Sequence, residues 1–395
     1  MKTVAVLGGG PAGSFAAERL ARAGLKTTIY DEKLAWEKPC GGGITYKAYR
    51  EYPFLIDNDT PKKLVRETVL SAPKAGDASM MLSQPLVIYS RKELNGMLLE
   101  RAGKAGAAIE KTRVLGMERH ARSWTIHTRD GIAEADFCVV ATGARNPLRQ
   151  VGTEWSAKDT MSALGYYVPG SRDRIDIQFL PKLEGYIWVF PRCGHLSVGI
   201  CGKGEPAHSL RTRLEAYMDD RELSRKDAVF YSHMLPSLDS PAWGPNRVAG
   251  DGWLAAGDAA GLVDPITGEG LYYAMRSGDL ASRVVMNEAQ GVAEKCAAYR
   301  EVLRREFAQD LEFAAMLARR VFLGRFLFRT VPQRMVHFMR RSARFRDLMQ
   351  DLFAGTQPYL ELRGRLLKNL NGTLQEAILS FFLDRVIPAD SRAVL

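Results

Sequence analysis

The feature that most constrains this chain is a glycine-rich motif that begins at its eighth residue. Gly8 to Gly13 has the pattern G-x-G-x-x-G and lies between a short apolar strand, Thr3 to Leu7, and an alanine-rich helical segment, Ser14 to Ala23. Glycines let the backbone approach a pyrophosphate, and the N-terminus of the helix attracts its charge. Asp31 ends the next strand, where a carboxylate accepts hydrogen bonds from a ribose. The segment therefore predicts a βαβ unit that binds a dinucleotide.

A second segment of small residues, around Gly257, indicates which dinucleotide is bound. A buried strand, Trp253 to Ala256, is predicted to enter a turn in which Asp258 is the one carboxylate. Such a turn suits a contact with a ribityl hydroxyl while the backbone passes the pyrophosphate. The next segment, Asp264 to Gly270, leads into a predicted helix whose N-terminal amides would stabilise negative charge on a reduced flavin ring. The two segments together predict FAD rather than NAD.

Between these two segments the sequence has the pattern of β-strands. Asp130 and Gly131 form a hairpin signal that predicts strands Trp124 to Thr128 and Ala133 to Val140. More strands are predicted from 173 to 202. We therefore predict an α/β fold with a Rossmann-like FAD-binding domain, an inserted antiparallel β-sheet substrate domain and a helical C-terminal extension. The predicted division is 1–70, 91–151 and 245–290 for the FAD-binding domain, 71–90 and 152–244 for the substrate-binding sheet domain, and 291–395 for the helical region.

The charge balance favours anionic partners. Lys and Arg number 55 against 45 for Asp and Glu, and no acidic residue lies between Glu312 and Asp347. The five cysteines form no C-x-x-C pair, and the six histidines lack metal-ligand or triad spacing, so neither a disulfide framework nor a metal site is predicted. The sequence shows no signal-peptide pattern and no run of about twenty uncharged apolar residues, so a cytoplasmic protein is expected.

Three further motifs suggest a family. Lys38 to Gly43 reads KPCGGG, Tyr186 to Arg192 reads YIWVFPR, and Thr267 to Tyr272 reads TGEGLY. Together with the two glycine segments, they resemble the geranylgeranyl reductase family within the aromatic-hydroxylase-like flavoproteins. In that family the matching motifs are K-P-C-G-G beside the flavin, Y-x-W-x-F-P along the substrate cavity, and S/T-G-E-G-I/L-Y/F. The resemblance covers roughly residues 1 to 290.

The resemblance implies a set of cofactor-binding residues, with NAD(P)H or a reduced redox protein as electron donor. Arg91, at the start of a helix predicted from Arg91 to Ala105, is implied to lie near the flavin or the pyrophosphate; a solvated helix-end arginine is the alternative. Thr142 stands where the wider group carries an acid, and it can form a hydrogen bond but brings no charge. The predicted cofactor-binding residues are Gly8, Gly10, Ala12, Gly13, Asp31, Glu32, Cys40, Gly41, Arg91, Thr142, Gly143, Gly257, Asp258, Gly268, Gly270 and Leu271.

The resemblance also implies an activity, the reduction of isolated carbon–carbon double bonds in a prenyl chain of a lipid or related hydrophobic substrate. Cys40, Tyr186 and Trp188 are the predicted catalytic residues. Cys40 is a candidate proton donor or flavin-edge contact because the adjacent glycines bring the backbone near the ring; a small buried thiol is the alternative. Tyr186 and Trp188 alternate with Ile187 and Val189 along a strand, so one pair is expected to face a cavity and the other a core.

Two other functions fit parts of the sequence. A flavin-dependent monooxygenase or halogenase acting on an aromatic substrate shares both FAD segments, although halogenases carry W-x-W-x-I-P where this chain has Tyr186. A non-catalytic prenyl-lipid carrier shares the architecture but need not hold FAD, and the complete Gly257-Asp258 segment argues against it.

The C-terminal region suggests a further partner. From Arg319 to Arg346 arginines are interspersed with Phe, Leu, Val and Met. Cationic amphipathic helices of this kind can lie on an anionic membrane surface, and a solvated charged face is the alternative. We predict peripheral contact with the inner face of a membrane through these helices. No nucleic-acid-binding module is recognised, so no nucleic-acid partner is expected.

Overall fold

Strands predominate up to residue 255, and helices predominate after residue 270, where one short pair of strands interrupts them. The computed structural model describes residues 2–121, 123–148, 150–154, 156–326, 328–366 and 368. The strands are β1 (Thr3–Leu7), β2 (Lys26–Tyr30), β3 (Gly43–Ile44), β4 (Lys62–Ala72), β5 (Gly76–Tyr89), β6 (Ala108–Glu110), β7 (Val114–Arg119), β8 (Trp124–Thr128), β9 (Gly131–Ala135), β10 (Phe137–Val140), β11 (Thr160–Pro169), β12 (Arg174–Phe179), β13 (Glu184–Pro191), β14 (His195–Lys203), β15 (Val229–Pro236), β16 (Ala249–Gly250), β17 (Trp253–Ala255), β18 (Arg325–Phe326) and β19 (Arg329–Thr330). The α-helices are α1 (Pro11–Arg22), α2 (Tyr46–Glu51), α3 (Arg91–Lys104), α4 (Ala207–Asp220), α5 (Ser240–Trp243), α6 (Leu271–Met286), α7 (Val292–Leu303), α8 (Gln309–Leu323), α9 (Val331–Arg341) and α10 (Ala343–Ala354).

A six-stranded sheet of order β16-β17-β10-β1-β2-β6 contains the first glycine segment. Strand β1 pairs in parallel with β2 and β10, and β10 pairs in parallel with β17. The turn after β1 enters α1 with Pro11 at its first position, where a missing backbone N–H costs nothing. Because β1 and β17 run in the same direction, both glycine segments leave the sheet at the same edge, as parallel α/β folds require of their ligand sites.

A larger sheet of eight strands has the order β15-β11-β14-β13-β12-β4-β5-β3. Its pairs are antiparallel except for β4 with β12, which run in parallel. The predicted α/β fold with an inserted sheet and C-terminal helices is therefore confirmed. Strand β4 begins at Lys62, within the 1–70 range that the sequence assigned to the FAD-binding domain. The division into domains at the predicted boundaries stays a prediction, and its last part, 369–395, lies outside the described residues.

One predicted strand is wrong. The sequence pattern joined Ala133 to Val140 in one strand, but the structure divides this segment at Asp136 into β9 and β10. The Asp136 carboxylate accepts hydrogen bonds from the backbone N–H groups of Lys2 and Thr3, at 2.6 and 2.9 Å. Strand β9 belongs to a three-stranded sheet with β7 and β8, whereas β10 lies beside β1. The predicted turn at Asp130 and Gly131 does join β8 to β9.

The two faces of the larger sheet pack against different helices. On one face Ile187 and Val189 are fully buried in a cluster with Leu210 and Leu214 of α4. On the other face a cluster around Trp188 includes apolar residues of the C-terminal helices α8, α9 and α10. This period-two alternation along β13 is the one predicted for the strand. Within the described residues, no helix combines the length and the apolar character needed to cross a bilayer.

Candidate functional site

A cavity of about 1240 Å³ is lined by residues of both large sheets and of the C-terminal helices. This volume exceeds the usual range for a site that holds one drug-sized ligand, roughly 300–1,000 Å³. All but one of the residues predicted for the site line it, which brings together segments far apart in the sequence. They are Gly8, Gly10, Ala12, Asp31, Glu32, Cys40, Gly41, Arg91, Thr142, Gly143, Tyr186, Trp188, Gly257, Asp258, Gly268, Gly270 and Leu271.

The two glycine segments meet at the cavity wall. A Cβ atom added to Gly257 would lie 3.1 Å from the Cβ of Ala12 and 3.2 Å from the Cβ of Ala274. Gly257 has a φ of +61°, a backbone conformation that glycine adopts without strain. Gly10 and Gly257 both line the cavity. The two segments predicted to converge on one cofactor therefore share one cleft.

The three glycines of the first motif have different tasks. A Cβ on Gly8 would approach the carbonyl oxygen of Ala141 to 2.2 Å, so Gly8 lets β1 lie close to the chain after β10. A Cβ on Gly13 would come within 1.9 Å of the Gly8 carbonyl oxygen, and Gly13 does not line the cavity. Gly13 therefore lets α1 pack closely on the loop, and its predicted contact with the cofactor stays a prediction. A Cβ on Gly10 would meet no protein atom within 4 Å, so this glycine keeps space open in the cleft.

Asp31 shapes the same loop. Its Oδ2 accepts a hydrogen bond of 2.7 Å from the backbone N–H of Gly9. Its Oδ1 accepts two more from the backbone N–H groups of Lys33 and Leu34, at 2.7 and 2.8 Å. Each carboxylate oxygen has two lone pairs, so Asp31 can hold the loop and still accept a hydrogen bond from a ligand hydroxyl in the cavity.

The residues at this end of the cavity fit FAD. Arg91 begins α3 and is only 4% exposed, so the predicted alternative of a solvated arginine is wrong. Its guanidinium donates to Asn95 Oδ1 at 3.3 Å, and its Nε has no hydrogen-bond partner among the described residues. A buried cation with an unused donor that faces a glycine-lined cleft is suited to a pyrophosphate. The open space beside Gly10 would admit that group next to the N-terminus of α1.

Asp258 lies at the centre of a group of charges. Lys38 Nζ donates to its Oδ2 at 2.9 Å. Burial alone would raise the pKa of Asp258, but Lys38, through its charge and its hydrogen bond, and Arg91 outweigh burial and hold this pKa below its ordinary value. Burial and the nearby cations lower the pKa of His233 to about 3, so its ring is neutral. Asp258 therefore enters the cavity as a carboxylate that can accept a hydrogen bond.

The loop that carries Cys40 is held by a buried arginine. Arg192 is fully buried; it donates to the Cys40 carbonyl oxygen and forms an ion pair with Glu37. Ser197 Oγ also donates to the Cys40 carbonyl oxygen, at 3.1 Å. Cys40 Sγ accepts a bond of 3.3 Å from the backbone N–H of Gly42. The backbone of this loop thus holds the thiol at the cavity wall.

Tyr186 and Trp188 face the cavity, whereas Ile187 and Val189 face the core, as predicted from their alternation. Tyr186 donates a hydrogen bond from its hydroxyl to the carbonyl oxygen of Thr267, which connects β13 to the segment Asp264 to Gly270. Trp188 Nε1 donates to Ser197 Oγ at 3.3 Å. Both hydroxyl and indole N–H are therefore occupied within the protein, and the rings present their apolar surfaces to the cavity.

Glu269 is a cavity residue that the sequence did not single out. Thr45 Oγ1 donates to its Oε1 at 3.1 Å. Burial, followed by the nearby Asp264, raises the pKa of Glu269 to about 7, so this carboxyl carries a proton for part of the time at neutral pH. It also lines a smaller neighbouring cavity together with Lys47 and Tyr273.

The sequence did not indicate that His233, Glu37 and Arg192 belong to the site, because their contacts are with residues far away in the chain. His233 comes from the middle of β15, and the Glu37–Arg192 pair joins residues 155 positions apart. The FPR end of the β13 motif was the one available signal for Arg192. Thr142 donates from its hydroxyl to Asn146 Oδ1 at 2.8 Å, so the residue that replaces an acid holds its own loop. Among the described residues no group of three or more His, Cys, Asp or Glu side chains could hold a metal ion.

Comparisons with known proteins agree with this site. A family model for pyridine nucleotide-disulphide oxidoreductases matches residues 2–162. A chloroplastic geranylgeranyl diphosphate reductase of Oryza sativa subsp. japonica is 31% identical over 326 residues, which cover 73% of this chain and 67% of that protein. A geranylgeranyl bacteriochlorophyll reductase-like protein from Thermoplasma acidophilum has a similar crystal structure, with a TM-score of 0.75 and 22% identity over 93% of this chain and 99% of that one. The flavin-dependent brominase Bmp2 shares the fold, with a TM-score of 0.66 and 18% identity over 89% of this chain and 93% of that one.

The similarity to the rice enzyme extends over most of both chains, and the cleft brings together the motifs that carry it. The protein is an enzyme that uses FAD as its cofactor, so the alternative of a non-catalytic carrier is set aside. The chain belongs to the geranylgeranyl reductase family of FAD-dependent oxidoreductases.

Proposed function

We propose that this enzyme reduces isolated carbon–carbon double bonds in the prenyl chain of a hydrophobic substrate. The observation that carries the proposal is that one cavity joins the glycine-lined cofactor end to a long apolar end. The apolar end is lined by aliphatic and aromatic side chains of the larger sheet and the C-terminal helices, including Leu86, Ile177, Phe322, Met335, Phe345 and Leu348. The name of the rice relative, geranylgeranyl diphosphate reductase, supports a prenyl substrate.

An isolated alkene has no oxygen atom that an acid could polarise, so its orientation has to come from packing. When bound and reduced, FAD supplies the hydride that one alkene carbon accepts. The rings of Tyr186 and Phe322 lie nearly parallel, with centroids 6.4 Å apart, and the ring of Trp188 meets that of Tyr186 edge to face. These three rings would exclude water and hold the prenyl chain in one orientation.

The second alkene carbon needs a proton, and two side chains of the cavity are candidates. The Cys40 thiol lies in the loop that continues into Gly41 to Gly43, and the Glu269 carboxyl lies in the segment Asp264 to Gly270. Glu269 is the stronger candidate because its raised pKa keeps a proton available at neutral pH. Thr45 orients the carboxyl through its hydrogen bond to Oε1.

Replacing Glu269 with glutamine is expected to slow oxidation of the reduced enzyme by geranylgeranyl diphosphate by about 100-fold, the usual loss when a general acid is removed. Since the protonated carboxyl is the donor, the wild-type rate should fall as the pH rises through about 7. The variant rate should not change over that range. Anaerobic stopped-flow absorbance of the flavin measures both rates.

Cys40→Ser is the matched comparison for this test. If Glu269 donates the proton, the serine variant keeps the fall in rate near neutral pH. If instead the serine variant loses this dependence and the glutamine variant keeps it, Cys40 is the donor and the assignment of Glu269 is wrong.

The proposed activity is tested with the intact enzyme and its FAD. The protein is reduced with dithionite without oxygen and incubated with geranylgeranyl diphosphate, and the product is analysed by mass spectrometry. We expect increments of about two daltons for each double bond, one hydride and one proton. An unchanged substrate mass, despite a reduced flavin and a bound substrate, would contradict the proposal.

A flavin-dependent halogenase or monooxygenase is the second candidate, favoured by the shared fold of the brominase. Such an enzyme consumes oxygen and NAD(P)H in step with an aromatic substrate, whereas an alkene reductase turns over without oxygen. Turnover that requires oxygen would favour this candidate. NAD(P)H and a reduced redox protein are both proposed electron donors for the reductase, and the enzyme is proposed to work in the cytoplasm with peripheral membrane contact.

A further inference from the structure

Several apolar side chains of the C-terminal helices are covered by the protein. Phe322 of α8 is 4% exposed, and Val336 and Met339 of α9 are buried in the same cluster against the larger sheet. Helix α9 contacts β4 and β5. These three side chains are therefore not available for contact with a membrane.

The hairpin between α8 and α9 presents apolar groups to the outside. Strands β18 and β19 pair with Arg325 opposite Thr330 and Phe326 opposite Arg329. Phe328 is 96% exposed and Phe326 is 42% exposed. The residue between these two phenylalanines, 327, lies outside the described residues. Two aromatic side chains are thus held outward at the end of a short hairpin.

The exposure of Phe328 shows that packing within the protein does not require an aromatic residue there. Its φ is +67°, a left-handed conformation that is strained for a bulky side chain. Strained positions of this kind occur at functional surfaces more often than elsewhere. Asparagine adopts this conformation readily, so Phe328→Asn removes the aromatic ring without adding backbone strain.

The surroundings of the hairpin are strongly basic. Arg325 and Arg329 lie on the hairpin and are exposed, as are Arg319 and Arg320 near the end of α8. Burial, followed by Arg341, Arg334, Arg329 and Arg340, lowers the pKa of His337 on α9. The segment between Glu312 and Asp347 contains no acidic residue. The surface is thus complementary to an anionic one.

The hairpin is also close to the substrate cavity along the chain. Val321 and Phe322, just before it, and Val331 and Met335, just after it, line the cavity. The backbone N–H of Val331 donates to the Gly324 carbonyl oxygen at 3.0 Å, which closes the base of the hairpin. A surface that holds the hairpin would therefore lie next to the cavity wall.

We propose that the hairpin formed by β18 and β19 docks the enzyme on an anionic lipid bilayer, with Phe326 and Phe328 entering the interface and Arg325 and Arg329 contacting lipid phosphates. An exposed aromatic pair flanked by arginines fits a lipid surface better than a protein partner, because it matches both the apolar interface and its negative charge. Given the proposed function, docking brings the cavity to the membrane that holds a prenyl lipid.

The test is co-sedimentation of the full-length FAD enzyme with vesicles of phosphatidylglycerol and phosphatidylcholine in equal parts. Phe328→Asn is expected to weaken binding roughly tenfold. Arg325→Gln with Arg329→Gln is expected to weaken it roughly fivefold for each arginine, and vesicles of phosphatidylcholine alone should bind weakly. Added salt should weaken binding to the anionic vesicles.

Matched controls come from other exposed residues. Ile132→Thr removes a side chain that is 71% exposed on β9, and Lys104→Gln with Arg129→Gln removes two exposed charges elsewhere. Both controls should bind vesicles as the wild type does. If Phe328→Asn binds as the wild type does, or if Ile132→Thr weakens binding equally, the docking proposal is overturned. Self-association of the wild type that is lost in Phe328→Asn, with no vesicle binding, would assign the hairpin to a second copy instead.

The vesicle assay involves no turnover, so it can refute the docking proposal without bearing on the proposed activity. Hairpin variants should keep wild-type rates with geranylgeranyl diphosphate dispersed in detergent and lose rate only with a prenyl lipid embedded in anionic vesicles. Absence of reduction under both conditions, with vesicle binding intact, would refute the proposed function and leave the docking surface in place.

Discussion

Gly10→Val is expected to lower FAD affinity by more than about 100-fold while the chain stays folded. Gly10 has a φ of −72° and a ψ of −176°, which valine adopts easily, and an added Cβ meets no protein atom within 4 Å. The valine side chain would instead fill the space that the pyrophosphate needs. Loss of two charge-assisted hydrogen bonds to the phosphates costs roughly 3 kcal/mol or more of binding free energy. This cost corresponds to the expected loss of more than about 100-fold in FAD affinity.

Gly116→Val is the matched control, since an added Cβ at Gly116 in β7 also meets nothing within 4 Å and Gly116 does not line the cavity. The visible absorbance of bound flavin, and FAD titration of the apoprotein, measure affinity, and circular dichroism checks the fold. Retention of FAD by the Gly10 variant would show that the cofactor does not pass this turn. Equal loss in both variants would assign the effect to folding.

Glu37→Gln is expected to destabilise the protein by about 3 kcal/mol, because it leaves the fully buried Arg192 without its counter-charge. Glu37 also accepts hydrogen bonds from Ser90 Oγ and from the backbone N–H of Arg91, at 2.6 and 2.9 Å. The variant should therefore loosen the Cys40 loop and the start of α3 together. Denaturant unfolding at neutral pH measures the difference.

The stabilisation that Glu37 provides depends on pH, and the direction of this dependence follows from its pKa. Burial opposes ionisation of Glu37, but Arg192 and the hydrogen bonds outweigh it and hold the pKa of Glu37 below its ordinary value. The stabilisation is therefore complete above about pH 4.3, the ordinary pKa of glutamate, and is lost as the pH falls through the lower pKa of the folded state. The difference between wild type and variant should shrink in acid. Glu301→Gln, which breaks an exposed pair with Arg304, should cause little change at any pH.

Local patterns were sufficient where one short segment carries all the information. The strand, turn and helix around Gly10 follow from residues within a few positions of one another, and the hairpin at Asp130 and Gly131 follows from its turn residues. The alternation of Trp188 with Val189 likewise predicted which side chains face the cavity. These elements depend on backbone geometry and on periodicity, which are local properties.

Where local patterns failed, a distant residue decided the structure. The strand predicted from Ala133 to Val140 reads as continuous, but Asp136 binds the backbone at the N-terminus and divides it. The apolar residues of α8 and α9 suggested membrane-facing helices, and Phe322 and Val336 among them are buried against the larger sheet, so membrane contact through these helices stays a prediction. An amphipathic pattern shows that a face will be covered, and it does not show by what.

The sequence by itself determined the parallel strand–turn–helix units and the FAD cofactor, because glycine spacing and strand ends follow from chemistry within each segment, and the resemblance of its motifs indicated the family. Only the tertiary structure decided that Arg192 and Glu37 hold the Cys40 loop, that Glu269 is buried beside Asp264, and that the hairpin rather than the helices carries exposed aromatic groups. Burial and charge pairing depend on which segments pack together, and packing depends on the whole chain at once.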